Sequence, residues 1–220
     1  MFYMAQMHYL ITAGPTREPL DPVRYLSNRS SGKMGYALAI AARAAGHEVT
    51  LISGPAALPA PDDVHVININ TAQEMHDAVM AVLPTTQVAI CAAAVSDYRP
   101  KQAAVQKIKK DGETLTLILE RSPDILGSAR AAGFTGILVG FAAETEHLLE
   151  HALDKLRRKG CDLIAANDVG GSVTGFDSEE NEITLVFATG EIRPLPRAPK
   201  SRLAEILVGV CDKLMVPSPP

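Results

Sequence analysis

Short apolar runs alternate along the chain with segments whose apolar positions recur every three or four residues. The runs predict strands at His8–Thr12, Glu48–Ser53, Val64–Ile69, Val88–Ala93, Ile137–Phe141 and Leu163–Ala166. The longer period predicts helices near Lys33–Ala45, Ala72–Leu83, Pro123–Ala132 and Thr145–Lys159, and a last helix over Lys200–Leu214. Gly46, Gly133 and Gly160 each follow a helical run, where a left-handed residue closes the helix. Two segments break the alternation. Residues 113–120 read as a strand, and 182–195 as a hairpin turning at Thr189-Gly190. The expected fold is α/β: a Rossmann-like, mostly parallel sheet with helices on both faces, plus a flap and a C-terminal β-hairpin and helix.

In such sheets, ligands bind beyond the carboxyl ends of the strands, near the point where strand order reverses. After the first strand come Gly14-Pro15-Thr16-Arg17-Glu18 and then Asn28-Arg29-Ser30-Ser31-Gly32-Lys33-Met34-Gly35, which opens an alanine-rich helix. Backbone N–H groups at a helix start, beside hydroxyls and glycines, make a phosphate cradle. A polar loop before a Ser-capped helix would read the same way. The connection of about twenty residues is long for a strand-to-helix link, which marks a functional loop. The second strand ends in Ser53-Gly54-Pro55 without the acidic residue that holds a dinucleotide ribose, and the dinucleotide glycine spacing is missing too.

After the fourth strand, three alanines precede Val95-Ser96-Asp97-Tyr98, so a ligand can approach the backbone and Asp97 offers a carboxylate, unless it merely caps a turn. Lys107-Ile108-Lys109-Lys110 follows a weakly structured stretch and reads either as a solvated charge run or as a basic flap closing over an anion. Phe141 could stack on a base or fill the core. Lys155 and Lys159, four apart, share a helix face in a last helical stretch where cations also complement the helix dipole.

The chain has 220 residues, of which 47% are hydrophobic and 21% charged, enough for one substantial core. Its net charge of −4 gives no support to nucleic-acid binding, though local basic patches can still hold a small anion. No apolar run reaches membrane-spanning length, and the three cysteines lack metal-ligand spacing, so they are expected as reduced, buried thiols of a cytoplasmic protein. Residues 1–7 read as a leader, 8–214 as the domain and 215–220 as a disordered tail.

The segments Gly14–Glu18, Asp21–Asn28, Ser30–Gly35, Ala93–Tyr98, Lys107–Lys110, Gly140–Thr145 and Ala166–Asp168 occur here in the order of one known family. From about His8 to residue 214 the chain resembles the phosphopantothenoylcysteine synthetase domain of bacterial coenzyme A biosynthesis, the cytidylate-using type. The resemblance implies a ligase joining 4′-phosphopantothenate to cysteine. The pantothenate carboxylate attacks the α-phosphate of CTP, giving an acyl-cytidylate and pyrophosphate; the cysteine amine then displaces CMP. Carried over by motif position, Asn28, Lys107 and Arg24 become the catalytic candidates: Asn28 at the acyl group, Lys107 on the flap, and Arg24 on the phosphopantothenate side, across a dimer interface. The nucleotide-binding candidates are Gly14, Ser30, Ser31, Gly32, Ala93, Asp97, Lys107, Pro123, Asp124, Ile125, Leu126, Phe141, Lys155 and Lys159. A simple doubly wound layout, however, puts the end of the 145–159 helix away from the crevice.

The resemblance further implies Mg²⁺ arriving with CTP, a homodimer, and no flavin in this chain. A flavin-dependent decarboxylase domain precedes the synthetase in many relatives; none precedes His8 here, so an excised domain and a stand-alone enzyme both remain open. No metal ligands are assigned. Two other classes stay open on the βα pattern alone: a nicotinamide-dependent oxidoreductase and a nucleotide-sensing module without turnover.

Overall fold

The structure, a computed structural model, describes residues 5–110, 112–144, 146–168 and 178–216, with the backbone alone at Glu144 and Asp168. The outer parts of the expected leader and tail, with Asp111 of the flap and Thr145, lie outside the described residues.

Strand β1 (His8–Ala13) is followed by a small hairpin of β2 (Arg17–Pro19) and β3 (Tyr25–Ser27), then by α1 (Lys33–Ala44). Next come β4 (Glu48–Ser53), β5 (His65–Asn68), α2 (Ala72–Val82) and β6 (Val88–Cys91). A second small hairpin, β7 (Tyr98–Pro100) and β8 (Leu119–Arg121), leads into α3 (Ile125–Ala131) and β9 (Ile137–Glu144). The chain closes with α4 (Leu148–Lys159), β10 (Leu163–Asp168), β11 (Glu180–Phe187), β12 (Ile192–Pro199) and α5 (Lys200–Met215).

Eight strands form the central sheet in the order β12-β11-β10-β9-β6-β1-β4-β5. From β5 to β10 all neighbours are parallel, and β11 and β12 add an antiparallel edge. The parallel part has the doubly wound order, with its reversal between β1 and β6. The central strands are buried on both faces, which is why they read as continuous apolar runs rather than alternating ones. Tyr9, Ile11 and Leu51 pack with α1 and α5 on one face. Leu10, Ile52 and Leu138 pack with α2, α3 and α4 on the other.

The expected strand over 113–120 shrinks to Leu119–Arg121. Its partner β7 has only three residues, so Leu115, Leu117 and Ile118 stay exposed despite their strand-like alternation. The long link after β1 is not structureless: it folds back as the β2–β3 hairpin, paired Arg17 to Ser27 and Pro19 to Tyr25. The strand expected to run to Ala93 ends at Cys91, and the helix expected from Pro123 starts at Ile125, with Asp124 as its cap. The helix expected from Thr145 starts at Leu148.

A candidate nucleotide and acyl-transfer cleft

At the switch point the loops leaving β1 and β6 are stitched together instead of diverging. Pro15 and Ala94 form an isolated parallel bridge, with the Ala94 N–H donating to Gly14 and the Thr16 N–H to Ala94. The exit of β4 lies close beneath. A Cβ on Gly54 would stand 1.9 Å from the Pro15 carbonyl oxygen, so only glycine fits there.

The α1 start departs from a Ser-capped helix. Its N-cap is Gly32 at φ 82, a left-handed conformation that glycine adopts without strain, and no side chain caps it. Ser30, Ser31 and Gly32 line a cavity of about 480 Å³ together with Asn28, Ala93, Asp97, Phe141 and Lys155. The Asn28 amide donates to the Ala94 carbonyl at 2.9 Å. The helix start, with its positive dipole end, therefore faces a space large enough for an anionic ligand.

A second cavity, of about 620 Å³, shares Ala93, Val95, Asp97, Phe141 and Lys155 with the first, so the two form one cleft. Its wall carries Pro123, Asp124, Ile125, Leu126 and Lys159. The expected conflict over Lys155 and Lys159 dissolves on geometry. Helix α4 leaves the carboxyl edge of the sheet, and helical side chains tilt back toward the helix N-terminus, so both lysines reach up into the cleft. Lys155 Nζ donates to the Phe141 carbonyl at 2.8 Å, and Lys159 Nζ pairs with Asp124 at 2.5 Å. Burial alone would push the Asp124 carboxyl up, but Lys159 and the Gly127 N–H outweigh it and hold it below its ordinary value.

Three expected residues stand apart from these cavities. Gly14 lies behind the wall, at φ 73, with a would-be Cβ 2.8 Å from the Gly54 carbonyl oxygen. Arg24 is exposed on the β2–β3 hairpin, where it pairs with Asp21 at 2.5 Å and donates to the Ile108 carbonyl. Lys107 is exposed on the flap. The flap is held by polar contacts rather than apolar ones. The Ile108 N–H donates to Asp21 at 3.1 Å, and the Ala104 N–H to the Leu20 carbonyl at 2.9 Å. With Arg24 foremost and three backbone N–H groups besides, the Asp21 carboxyl is held well below the usual range.

The sequence reading missed several cleft residues. Arg121, His151 and Arg158 line the larger cavity, and Arg29, Lys33, Asn167, Asn181 and Lys200 the smaller one. Arg121 lies next to the Pro123–Leu126 motif, and Arg29 and Lys33 lie within the Asn28–Gly35 segment. His151 and Arg158 on α4, Asn167 on β10, Asn181 on β11 and Lys200 on α5 come from four separate elements that only the folded chain brings together. Cations thus concentrate in the cleft of an acidic chain. Cys91, at the edge of the larger cavity, is a thiol that burial pushes up to about 12, and Cys161 is pushed up to about 11 in the same way, which leaves both unreactive. No group of three or more His, Cys, Asp or Glu side chains suits a metal ion among the described residues. The Asp168 side chain lies outside them. No helix there is long and apolar enough to cross a membrane.

Fold and cleft define a doubly wound α/β protein with a cleft rich in cationic side chains at its switch point. The chain belongs to the family described as DNA/pantothenate metabolism flavoprotein C-terminal domain, which it matches over residues 4–214. It is 51% identical over 212 residues to the coenzyme A biosynthesis bifunctional protein CoaBC of Vibrio vulnificus, covering 94% of this chain and 52% of that protein. With CoaBC of Escherichia coli it shares 46% over 209 residues, covering 93% of this chain and 51% of that one. The chain thus spans about half the length of these curated relatives. Among solved structures, the crystal structure of the C-terminal domain of CoaBC superposes with a TM-score of 0.82 at 39% identity, covering 96% of this chain and 97% of that one. The DNA/pantothenate metabolism flavoprotein of Streptococcus pneumoniae gives 0.81 at 25% identity, covering 94% and 99%.

Proposed function

We propose that the chain is a phosphopantothenate–cysteine ligase of coenzyme A biosynthesis, working through an acyl-cytidylate formed from CTP. The observation that carries this reading is the single cleft in which the α1 start and Asn28 meet Asp97, Phe141, Lys155 and Lys159. Its two lobes suit two bulky anionic substrates side by side, with the shared strip between them as the place of reaction.

A carboxylate is a poor acyl donor, and esterifying it with a nucleotide phosphate supplies a good leaving group. Both reactants are negative, so bringing them together requires donors and cations. Lys155 and Lys159 hold the nucleotide side, and the N–H groups at the α1 start hold phosphate. CTP enters as its Mg²⁺ complex, the metal belonging to the substrate. Asn28 orients the acyl group against the α-phosphate. Lys107 serves once the flap moves in, because its present position is outside the cleft.

A homodimer accompanies this reading. Val23 and Tyr25 beside Arg24, and Tyr98 on the neighbouring hairpin, are large exposed apolar side chains suited to a second copy, whose cleft Arg24 would complete. A flavin-dependent decarboxylase domain is the natural neighbour in a bifunctional protein, and the cytoplasm the natural compartment. The nicotinamide alternative has no support at β4, whose end offers Ser53 and Gly54 instead of a carboxylate.

Pyrophosphate release tests the reading, with the four nucleoside triphosphates compared in the presence and absence of 4′-phosphopantothenate. Release from CTP that depends on phosphopantothenate is expected; nicotinamide turnover, or nucleotide binding without release, contradicts it.

A further inference from the structure

One end of the smaller cavity is built from buried polar groups that the motif-based assignment leaves idle. Asn167, near the end of β10, is 9% exposed, and its Oδ1 is buried with no hydrogen-bond partner among the described residues. An unpaired buried acceptor is unfavourable unless a ligand supplies the donor. Asn181 on β11 is 4% exposed, and its Oδ1 is engaged by the Glu182 N–H at 3.0 Å. Lys200, the first residue of α5, is 7% exposed and holds the Ser178 carbonyl at 2.5 Å. Strand register explains the cluster. Asn167 stands opposite Ile183, and Asn181 opposite Ala198, two residues before Lys200. All three line the same cavity as Asn28. The neighbouring carboxylate, Glu179, is held by Lys33 at 2.5 Å and also feels the charge of Lys200.

A phosphate is a poor match for a cavity end that holds both a lone acceptor and a buried ammonium, because it would leave the amide oxygen facing like charge. A zwitterionic α-amino acid matches both. We infer that this end of the cleft receives the incoming amino acid, Asn167 Oδ1 accepting from its amine and Lys200 facing its carboxylate. The inference rests on the ligase reading and names the subsite of its second step. In that step the amine nitrogen forms the amide bond to the acyl carbon. The acyl carbon–oxygen bond breaks, and CMP leaves with its electron pair. The nitrogen sheds two protons to solvent, one before attack and one after it. Asn167 exchanges no proton; it is a positioning residue that aims the nitrogen.

The test uses the 220-residue chain with CTP and 4′-phosphopantothenate. Asn167→Leu, which removes the acceptor, should raise the KM for cysteine about 10- to 100-fold, the loss typical of a hydrogen bond to a charged group. Pyrophosphate release without cysteine should not change. Asn167→Asp, which keeps an acceptor, should hold that KM within about threefold. With the unaltered protein, cysteamine, which lacks the carboxylate, should show a KM at least about tenfold above that of cysteine. Lys200→Met should erase the difference. An unchanged cysteine KM in Asn167→Leu overturns the subsite, as does equal loss of both steps. If thermal melts show that either variant is unfolded, the unaltered protein decides, because equal KM values for cysteamine and cysteine overturn the subsite. Absence of pyrophosphate release from the unaltered protein overturns the ligase reading instead, and the subsite with it.

Discussion

The Asn28 side-chain amide donates to the main-chain carbonyl of Ala94 at 2.9 Å, which ties the loop after β1 to the loop after β6 across the switch point. The same carbonyl accepts the Thr16 N–H at 3.2 Å. Asn28 is therefore positioned before any ligand arrives, on the wall of the smaller lobe of the cleft.

This placement separates the two chemical steps. Asn28→Asp sets a carboxylate against the Ala94 carbonyl oxygen and beside an anionic reaction centre. It should slow pyrophosphate release about 100-fold, the scale of losing one donor to developing negative charge. Lys107→Gln, on the flap, should still form acyl-cytidylate but pass it poorly to cysteine. Single-turnover trapping of the intermediate distinguishes these outcomes, and equal loss of both steps in Lys107→Gln contradicts the assignment.

Asp21 is the anchor of the flap, since its carboxylate takes the Ile108 N–H as well as Arg24. Asp21→Ala should raise hydrogen exchange at Ala104–Ile108 at least about tenfold, the loss of one or more net hydrogen bonds. Unchanged exchange would show that other contacts hold the segment. Because the folded carboxyl sits below its unfolded value of about 3.9, the contact is fully present above that pH. It is lost as pH falls through the lower folded value. Flap protection should accordingly survive at pH 4 and disappear only in stronger acid.

Asp97 is exposed and lines both lobes, while its main-chain carbonyl receives the Ser122 N–H at 2.9 Å. The side chain thus has little part in the fold. Asp97→Asn should weaken binding of the Mg²⁺–CTP complex about tenfold, while stability stays within about 0.5 kcal/mol. Calorimetric titration beside thermal melts reads both. Unchanged affinity removes Asp97 from the site, and a collapsed melt makes it structural.

The crossing of Gly54 beneath Pro15 is a steric requirement. Gly54→Ala would place a methyl group 1.9 Å from a carbonyl oxygen, so the backbone must shift. A loss of about 1–3 kcal/mol, typical of overpacking, is expected in denaturant unfolding, together with weaker nucleotide binding because both loop exits move. Unaltered stability would mean that the two loops separate freely.

Much of this architecture could be read from the chain. The central parallel strands show as apolar runs because both faces are buried, and the hairpin turn at Thr189-Gly190 joins β11 to β12 as expected. The β2–β3 hairpin escaped because three-residue strands carry no periodicity. Residues 113–118 misled because alternating leucines resemble a strand even when β-strand pairing stops at Leu119 and only the Lys101 N–H still reaches the Ile118 carbonyl. In the cleft, Asn28, Asp97 and Phe141 were legible from motifs at strand ends. Asn167, Asn181 and Lys200 were not recognised as a group, because β10, the β11–β12 hairpin and the α5 start converge only through strand register. The reach of Lys155 and Lys159 was obscured by treating a helix as a rod, whereas its side chains slant toward its start.

The most direct test of the ligase is the identity of its products. The chain is incubated with Mg²⁺, CTP, 4′-phosphopantothenate and cysteine, and the mixture is resolved by mass spectrometry. The expected result is 4′-phosphopantothenoylcysteine, with one CMP and one pyrophosphate formed for each amide. Formation of CDP and inorganic phosphate in their place, or consumption of CTP without the amide, would contradict a ligase working through an acyl-cytidylate.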